Sequence, residues 1–461
     1  MRHFLAHTLD LQDEDPITGE SQAEQADRSP EEDAQAAVEA TTELADANTA
    51  MGDVVRYSEV ADALEDTAAI MDTVDETTPA HVALVQTVAN MAAAGAGEGV
   101  TGDDVVPGLD TQHYIGRRMS TEGFKDAAKR IWETIKRWVK KIWAKIEGFF
   151  YKHFGRIPRM RKSLEAAEKQ LTGAESRPLE DKKIDLTTGL SQMVVNNGDV
   201  KDYKEYNTAL SALAGAVSDV FKIAAKKLAD GGEALSEAIS DFDISKAGDS
   251  LVNINNALGA CIPGAGSMNS IKGSTGFAGA TSPDGVSCSY SAPLPGNIML
   301  RFGVTTTQSA SRSEANAVAQ ITHAHRNTGV VAVYPEKARD TPSSVSINTP
   351  TIDQVRASIG QCRRMLDDME TFYRGKGFKD IKTAQDKITK AGDKISAQVS
   401  KVKPEDLGED DLAFFRQTTG TASSFVQKTL RTFGGISTTA MTSCSFVCTV
   451  ASKTSSAYRN K

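Results

Sequence analysis

Histidines, cysteines and paired acids are the side chains from which a catalytic centre would be built, and here few are arranged for it. Seven histidines are spread over 461 residues, and two of them stand close together in His323-Ala-His325. On a helix, residues two apart point about 200° from each other, so these two rings do not share one ion. Cys444 and Cys448 lie one helical turn apart, but no CxxC pair or histidine cluster accompanies them to complete a zinc site. Cys362 precedes Arg363-Arg364, whose charge would lower a thiol pKa; its place on the Ile359 face reads instead as a buried core cysteine. Asp367-Asp368 reads as a solvated helix surface rather than an acid/base pair. Gly264-Ala-Gly266 lacks the third glycine and the preceding strand of a dinucleotide loop, and the chain has no GxxxxGK[ST], HExxH or GxSxG pattern. No catalytic residue, cofactor or metal is expected, and the chain reads as a non-enzyme.

Charge is organised where chemistry is not. Up to Glu122 there are 26 Asp plus Glu against 5 Arg and no Lys, a net of −21; the remaining 35 acids and 47 bases give +12. The overall −9 is therefore the sum of an acidic tail and a piece that seeks polyanions or membranes. Five cysteines, an odd number with no disulfide-framework spacing, point to a reducing compartment. The start, Met1-Arg2-His3-Phe4-Leu5, becomes acidic by Asp10 and has no signal-peptide core.

Just past the charge boundary, Phe124 to Phe154 holds all three tryptophans, Trp132, Trp138 and Trp143, with nine Lys or Arg between Lys125 and Lys152. At about 100° per residue its apolar side chains fit one arc of roughly 160°. Lys129, Lys136, Arg137, Lys140, Lys141 and Lys145 fill the other side. This strongly amphipathic basic helix has two readings. It packs its apolar stripe into the rest of the protein, or it uses Lys125, those six basic residues and the tryptophans on a duplex, a partner groove or a bilayer.

At the boundary itself stands Ser120-Thr121-Glu122, followed by Gly123. Large tailed phages cut their head proteins after small-x-Glu, and this tripeptide resembles such a site. Ser29-Pro-Glu31, Ala37-Val-Glu39, Ala63-Leu-Glu65 and Ala96-Gly-Glu98 match upstream; Ser163-Leu-Glu165 and Ala166-Ala-Glu168 match downstream. In its layout and in the junction Met119-Ser-Thr-Glu-Gly-Phe124, the chain resembles the internal head (inner body) proteins of giant phages related to the phiKZ group. The resemblance implies a structural precursor, cut by a prohead protease after Glu122. Its mature part would be packaged with DNA and other head proteins in the head interior, after assembly in the host cytoplasm. It leaves the 257–349 region without a counterpart. The alternatives are an injected effector, or a membrane-active ejection protein that uses the Trp helix.

The elements that would position these features are mostly helical. Residues 1–122 read as a largely disordered acidic propeptide with weak helices, since few large apolar groups offset the entropy of ordering. The basic helix covers 123–157. A helical region at 158–256 follows, with helices over Arg159–Leu171, Ile184–Val195, Tyr203–Leu228 and Leu235–Phe242, broken by Asn196-Asn197-Gly198 and Gly231-Gly232. Residues 257–349 are rich in Gly, Ser and Pro and read as a small α+β insertion, with strands at Asn297–Val304 and Val330–Tyr334 around a helix at Ser313–His325. A second helical region spans 350–461, with Thr351–Tyr373, Ile381–Val402, Asp410–Thr432 and a last segment to Ala457. The uncharged run Thr432–Ser452 matches bilayer length, but its Ser, Thr and Gly content favours a buried or partner-facing helix. The expected fold is mainly α: a helical bundle with a loop-rich α+β insertion, preceded by the acidic piece.

Overall fold

A computed structural model describes residues 154–458 except 201, 265, 275, 279–281, 284, 306–327, 336–343 and 400–410, together with Trp143, Ala144, Glu147, Gly148 and Tyr151. Within these residues the chain is dominated by helix, with three small sheets. Helix α1 (Ile157–Ala174) begins with Pro158 in its first turn, where the missing N–H costs nothing, and buries Ile157, Met160, Leu164, Ala167 and Leu171 at three- and four-residue steps. Helix α2 (Tyr203–Ser218) is capped by Asp202, whose side chain accepts from the Glu205 N–H at 2.8 Å. Helix α5 (Ile352–Arg374) starts at a reciprocal capping box between Thr351 and Gln354. Helix α6 spans Lys376–Val399 and helix α7 spans Asp411–Ala457.

Helix α7 is the axis of the molecule. It packs against α1, α2, α5 and α6, and also against α3 (Ala225–Ser240) and α4 (Ala247–Ala260). A helix enclosed on so many sides keeps little polar surface: between Phe433 and Ala451 the stripe of Gly435, Thr438, Thr442, Ser445 and Thr449, with Cys448 beside it, is partly exposed, and the rest of the circumference is buried. Several of its hydroxyls are satisfied from within, while those of Thr418 and Thr454 are buried without a partner among the described residues. Thr429, Ser437, Thr439 and Thr442 each donate to the carbonyl four residues back, at 2.6 to 3.0 Å. The uncharged run Thr432–Ser452 is thus a core helix, covered by its own protein. The sequence expectation of a separate last segment after Thr432 is corrected: Gly434-Gly435 continue the helix. Gly435 makes room for Ala332, whose Cβ lies 2.5 Å from where a Gly435 Cβ would stand.

A second correction concerns Gly231-Gly232. Helix α2 does not stop there. It passes through a π-helical segment, Asp219–Ala224, into α3, and one helical path runs from Tyr203 to Ser240. The glycines are crossing points: a Cβ on Gly231 would meet the Cys261 backbone at 2.5 Å, and one on Gly232 would meet Phe425 at 2.7 Å. By length and apolar composition this path would also pass as a membrane span; 56% of its most apolar window is buried inside the bundle. At the π segment the buried Asp219 side chain accepts from the Ser270 N–H at 2.6 Å, which ties the helix to the loop after α4.

The predicted helix Ile184–Val195 is also corrected. Ile184 and Leu186 alternate with exposed Lys183 and Asp185 in strand β1 (Lys183–Leu186), which pairs antiparallel with β8 (Val345–Asn348). A short 3-10 turn, Leu190–Met193, then leads into a hairpin of β2 (Val194–Val195) and β3 (Gly198–Asp199). Asn196 and Asn197, both at positive φ, make its two-residue turn. Apolar residues at steps of two, three and four fit either period over so short a span, and pairing with β8 decides it.

The remaining sheet runs in the order β4 (Ile271–Ser274), β5 (Val286–Ser291), β6 (Met299–Thr305) and β7 (Gly329–Val333), antiparallel throughout. The two predicted strands are β6 and β7. The helix expected at Ser313–His325 lies outside the described residues. Strand β7 lies against α7.

Ion pairs bind α1 to α5. Arg161 reaches Asp367 at 2.6 Å and Glu370 at 2.7 Å, Arg363 reaches Glu168 at 2.5 Å, and Arg356 holds Glu175 at 3.0 Å.

Candidate functional site: the docked basic segment and the bundle end

The junction Ser120, Thr121, Glu122 and Gly123 lies outside the described residues. So do Lys125, Lys129, Trp132, Lys136, Arg137, Trp138, Lys140, Lys141 and Lys145. Of the predicted contact residues, Trp143 alone is described, and its ring takes the packing side of the two readings. Its ring is 7% exposed and stacks on Phe378 of α6, with centroids 6.1 Å apart and planes 8° from parallel. A ring held this way reaches an external surface only by leaving the bundle.

The attachment is continued by its neighbours. Glu147, one turn on, accepts from Lys382 of α6 at 2.5 Å. Phe154 then stacks on Tyr373 at 4.9 Å and meets Phe221 edge-on at 6.1 Å. Phe221 and Phe372 both pack on Phe433 of α7, at 5.3 and 4.8 Å. An aromatic seam thus runs from the incoming segment through α5 and the π segment to the axial helix. Edge and stacked pairs of this kind add about 0.5–1.5 kcal/mol each beyond area burial.

The other candidates resolve into structure. Cys362 is fully buried, and burial beside Cys444 pushes its thiol well above the usual range; Arg363 turns away to Glu168. Cys448 is raised to about 12 by burial, with Cys444 adding to it. A thiol is nucleophilic as its thiolate, so neither is activated. Asp367 and Asp368 are occupied by Arg161 and by Lys222, the latter at 2.7 Å. Gly264 and Gly266 follow a helix rather than a strand, which removes the nucleotide-loop reading. His323 and His325 lie outside the described residues. Among the described residues no group of His, Cys, Asp and Glu could hold a metal ion.

One site escaped the sequence reading. Lys428 of α7 is 5% exposed, and its ammonium donates to the Thr328 carbonyl at 2.8 Å and the Thr328 hydroxyl at 3.0 Å. Cys261, Ile262, Val330 and Arg431 help line the small cavity beside it, of about 10 Å³, the room of one water. Burial lowers this lysine to about 7, partly offset by Cys261. The sequence signal was its position: Lys428 falls three residues after Phe425 and four before Thr432, on the face that becomes core.

The family model of phiKZ-like phage internal head proteins aligns with residues 22–450. No curated protein and no solved structure matches the chain.

Proposed function

The chain belongs to the phiKZ-like phage internal head proteins, structural constituents of the head interior, and from that premise we propose that it is made as a precursor, cut after Glu122, and packed with the genome. The observation that carries the proposal is the division of charge at that residue, −21 before it and +12 after it. Cleavage then acts as a charge switch. In the precursor, assembled in the host cytoplasm, the acidic piece is tethered beside the basic one at high effective concentration and competes with nucleic acid. Once cut, it loses the tether, and the mature piece binds duplex phosphates without sequence preference. Log K then falls with log salt by about 0.9 for each phosphate neutralised.

The testing experiment is the N-terminal sequence and intact mass of the protein recovered from its particle. A start at Gly123-Phe124-Lys125 is expected. A start at Met1 or Arg2 would remove the prohead protease as a partner and the switch with it. Of the alternatives, the membrane-active reading is weakened by Trp143, whose ring is already committed to Phe378. The effector reading needs converging catalytic groups in 257–349.

A further inference from the structure

We infer that the exposed lysine stripe of α6 is a docking surface for the phosphate backbone of duplex DNA, an inference that rests on the packaging role proposed above. Lys376, Lys379, Lys387, Lys390 and Lys394 are all exposed, and at about 100° per residue they fall within an arc of about 80°. The arc lies away from the buried face of Ile381, Ala384, Ile388, Ala391 and Ile395. Over these 19 positions the stripe is about 27 Å long, the rise of about eight base pairs. Lys387 is paired with Glu233 at 2.5 Å, whereas Lys376, Lys379, Lys390 and Lys394 have no carboxylate partner among the described residues. The tryptophan segment docks along the flank of the same helix, through Phe378 and Lys382.

A stripe of cations fits a linear polyanion, and two are at hand: DNA and the chain's own acidic segment. Linear charge density decides between them. The first 122 residues carry a net −21. Even fully extended, at about 3.3 Å per residue, that is one net charge in about 19 Å. Duplex DNA has one in about 1.7 Å, and far more counterions to release. Without the tether, the acidic piece does not hold the stripe against DNA.

Lysine acetylation by an active ester, read by mass spectrometry on intact particles, tests this. In DNA-filled heads Lys379, Lys390 and Lys394 should be modified at least about threefold less than in particles emptied of DNA, because phosphate contact covers each ammonium. Lys169 on α1 and Lys183 on β1 should be equally reactive in both. If lysines elsewhere are protected but the α6 set is not, the stripe assignment falls and the packaging reading stands. If no lysine differs, both fall. Protection of the α6 set in uncut, DNA-free proheads that is lost in mature, DNA-filled heads would assign the stripe to the tethered acidic segment alone and overturn DNA as its occupant. As a second measurement, mature protein carrying Lys379→Gln, Lys390→Gln and Lys394→Gln should lose about 2.7 from its salt slope on duplex DNA. An unchanged slope refutes the contact.

Discussion

Gly232 of α3 lies directly against the ring of Phe425 on α7: a Cβ at 232 would stand 2.7 Å from Cε2 and Cζ, and 2.8 Å from the Ala384 Cβ of α6. Three helices meet at this one point, and the absent side chain is what lets them. Alanine is the better helix former by about 1 kcal/mol, so the sign of Gly232→Ala depends on which effect is larger. Here the neighbour is a fully buried ring with no space to yield, and overpacking of this kind costs about 1–3 kcal/mol. We expect Gly232→Ala to lower the unfolding midpoint in urea. The control is Gly215, exposed on α2 with nothing within 4 Å of its would-be Cβ. Gly215→Ala should raise stability by about 0.5–1 kcal/mol. Equal shifts for the two would refute the close crossing.

Lys428 predicts an alkaline gain in stability. Its pKa falls from 10.5 to about 7 in the folded protein, mainly through burial. Between those values the unfolded chain binds the proton and the folded one does not. Stability therefore rises with pH from about 7 to about 10.5, by up to about 1.4 kcal/mol per unit, and this lysine contributes no slope below 7. Lys428→Met strands the Thr328 carbonyl, a cost that does not vary with pH, and removes the slope. Urea unfolding of both proteins at pH 7, 8 and 9 checks it, since other titrating groups cancel in the difference. Parallel curves would show that Lys428 stays charged in the fold.

How legible these features were follows from the length scale of each. Helix α5 could be read because Thr351 and Gln354 announce its start and Val355, Ile359, Cys362 and Leu366 repeat at helical steps. Strands β6 and β7 could be read from short β-branched runs between turn residues. Gly231-Gly232 was misread as a break, and the helix was ended at Thr432 just before Gly434-Gly435, because a glycine that admits a neighbouring element looks the same in sequence as one that ends its own. Only the packing of Cys261, Phe425 and Ala332 tells them apart. Strand β1 was misread because its partner lies some 160 residues away. Lys428 was hidden because a single lysine in an apolar stretch reads as a snorkelling surface residue. That Trp143 spends its ring on Phe378 depends on α6, which the periodicity of 123–157 does not carry.

Trp143 should therefore behave as a core residue. Replacing a buried tryptophan by alanine costs about 3–5 kcal/mol in a well-packed site. Trp143→Ala is expected near the low end, since its indole Nε1 is buried without an acceptor among the described residues and its loss removes that penalty. In a chain with Trp132→Phe and Trp138→Phe, the remaining Trp143 should emit at short wavelength and resist quenching by acrylamide. Phe378→Ala should shift the emission to the red. Solvent-like emission from the otherwise intact protein would place the segment off the bundle and restore Trp143 as an external contact.

Local folding should decide which small-x-Glu sites a prohead protease can use. Ser163-Leu-Glu165 and Ala166-Ala-Glu168 fit the pattern as well as Ser120-Thr-Glu122 does, yet both lie inside α1. Proteolysis acts on locally opened chain, so a site in stable helix is cut only as often as that helix opens. Here the middle residues of both tripeptides face inward, Leu164 fully buried and Ala167 at 4% exposure. Opening α1 also breaks the pairs of Arg161, Arg363 and Arg356 across to and from α5. The folded protein should therefore resist cleavage at Glu165 and Glu168 under conditions that cut after Glu122. Leu164→Ala, which leaves both recognition triplets' first and last residues in place and costs about 2–5 kcal/mol of packing, should make both sites accessible. Mass spectra of timed digests would show it. Cleavage of the unmutated chain at Glu165 as fast as at Glu122 would mean that α1 is not held by the bundle as the ion pairs and burial require.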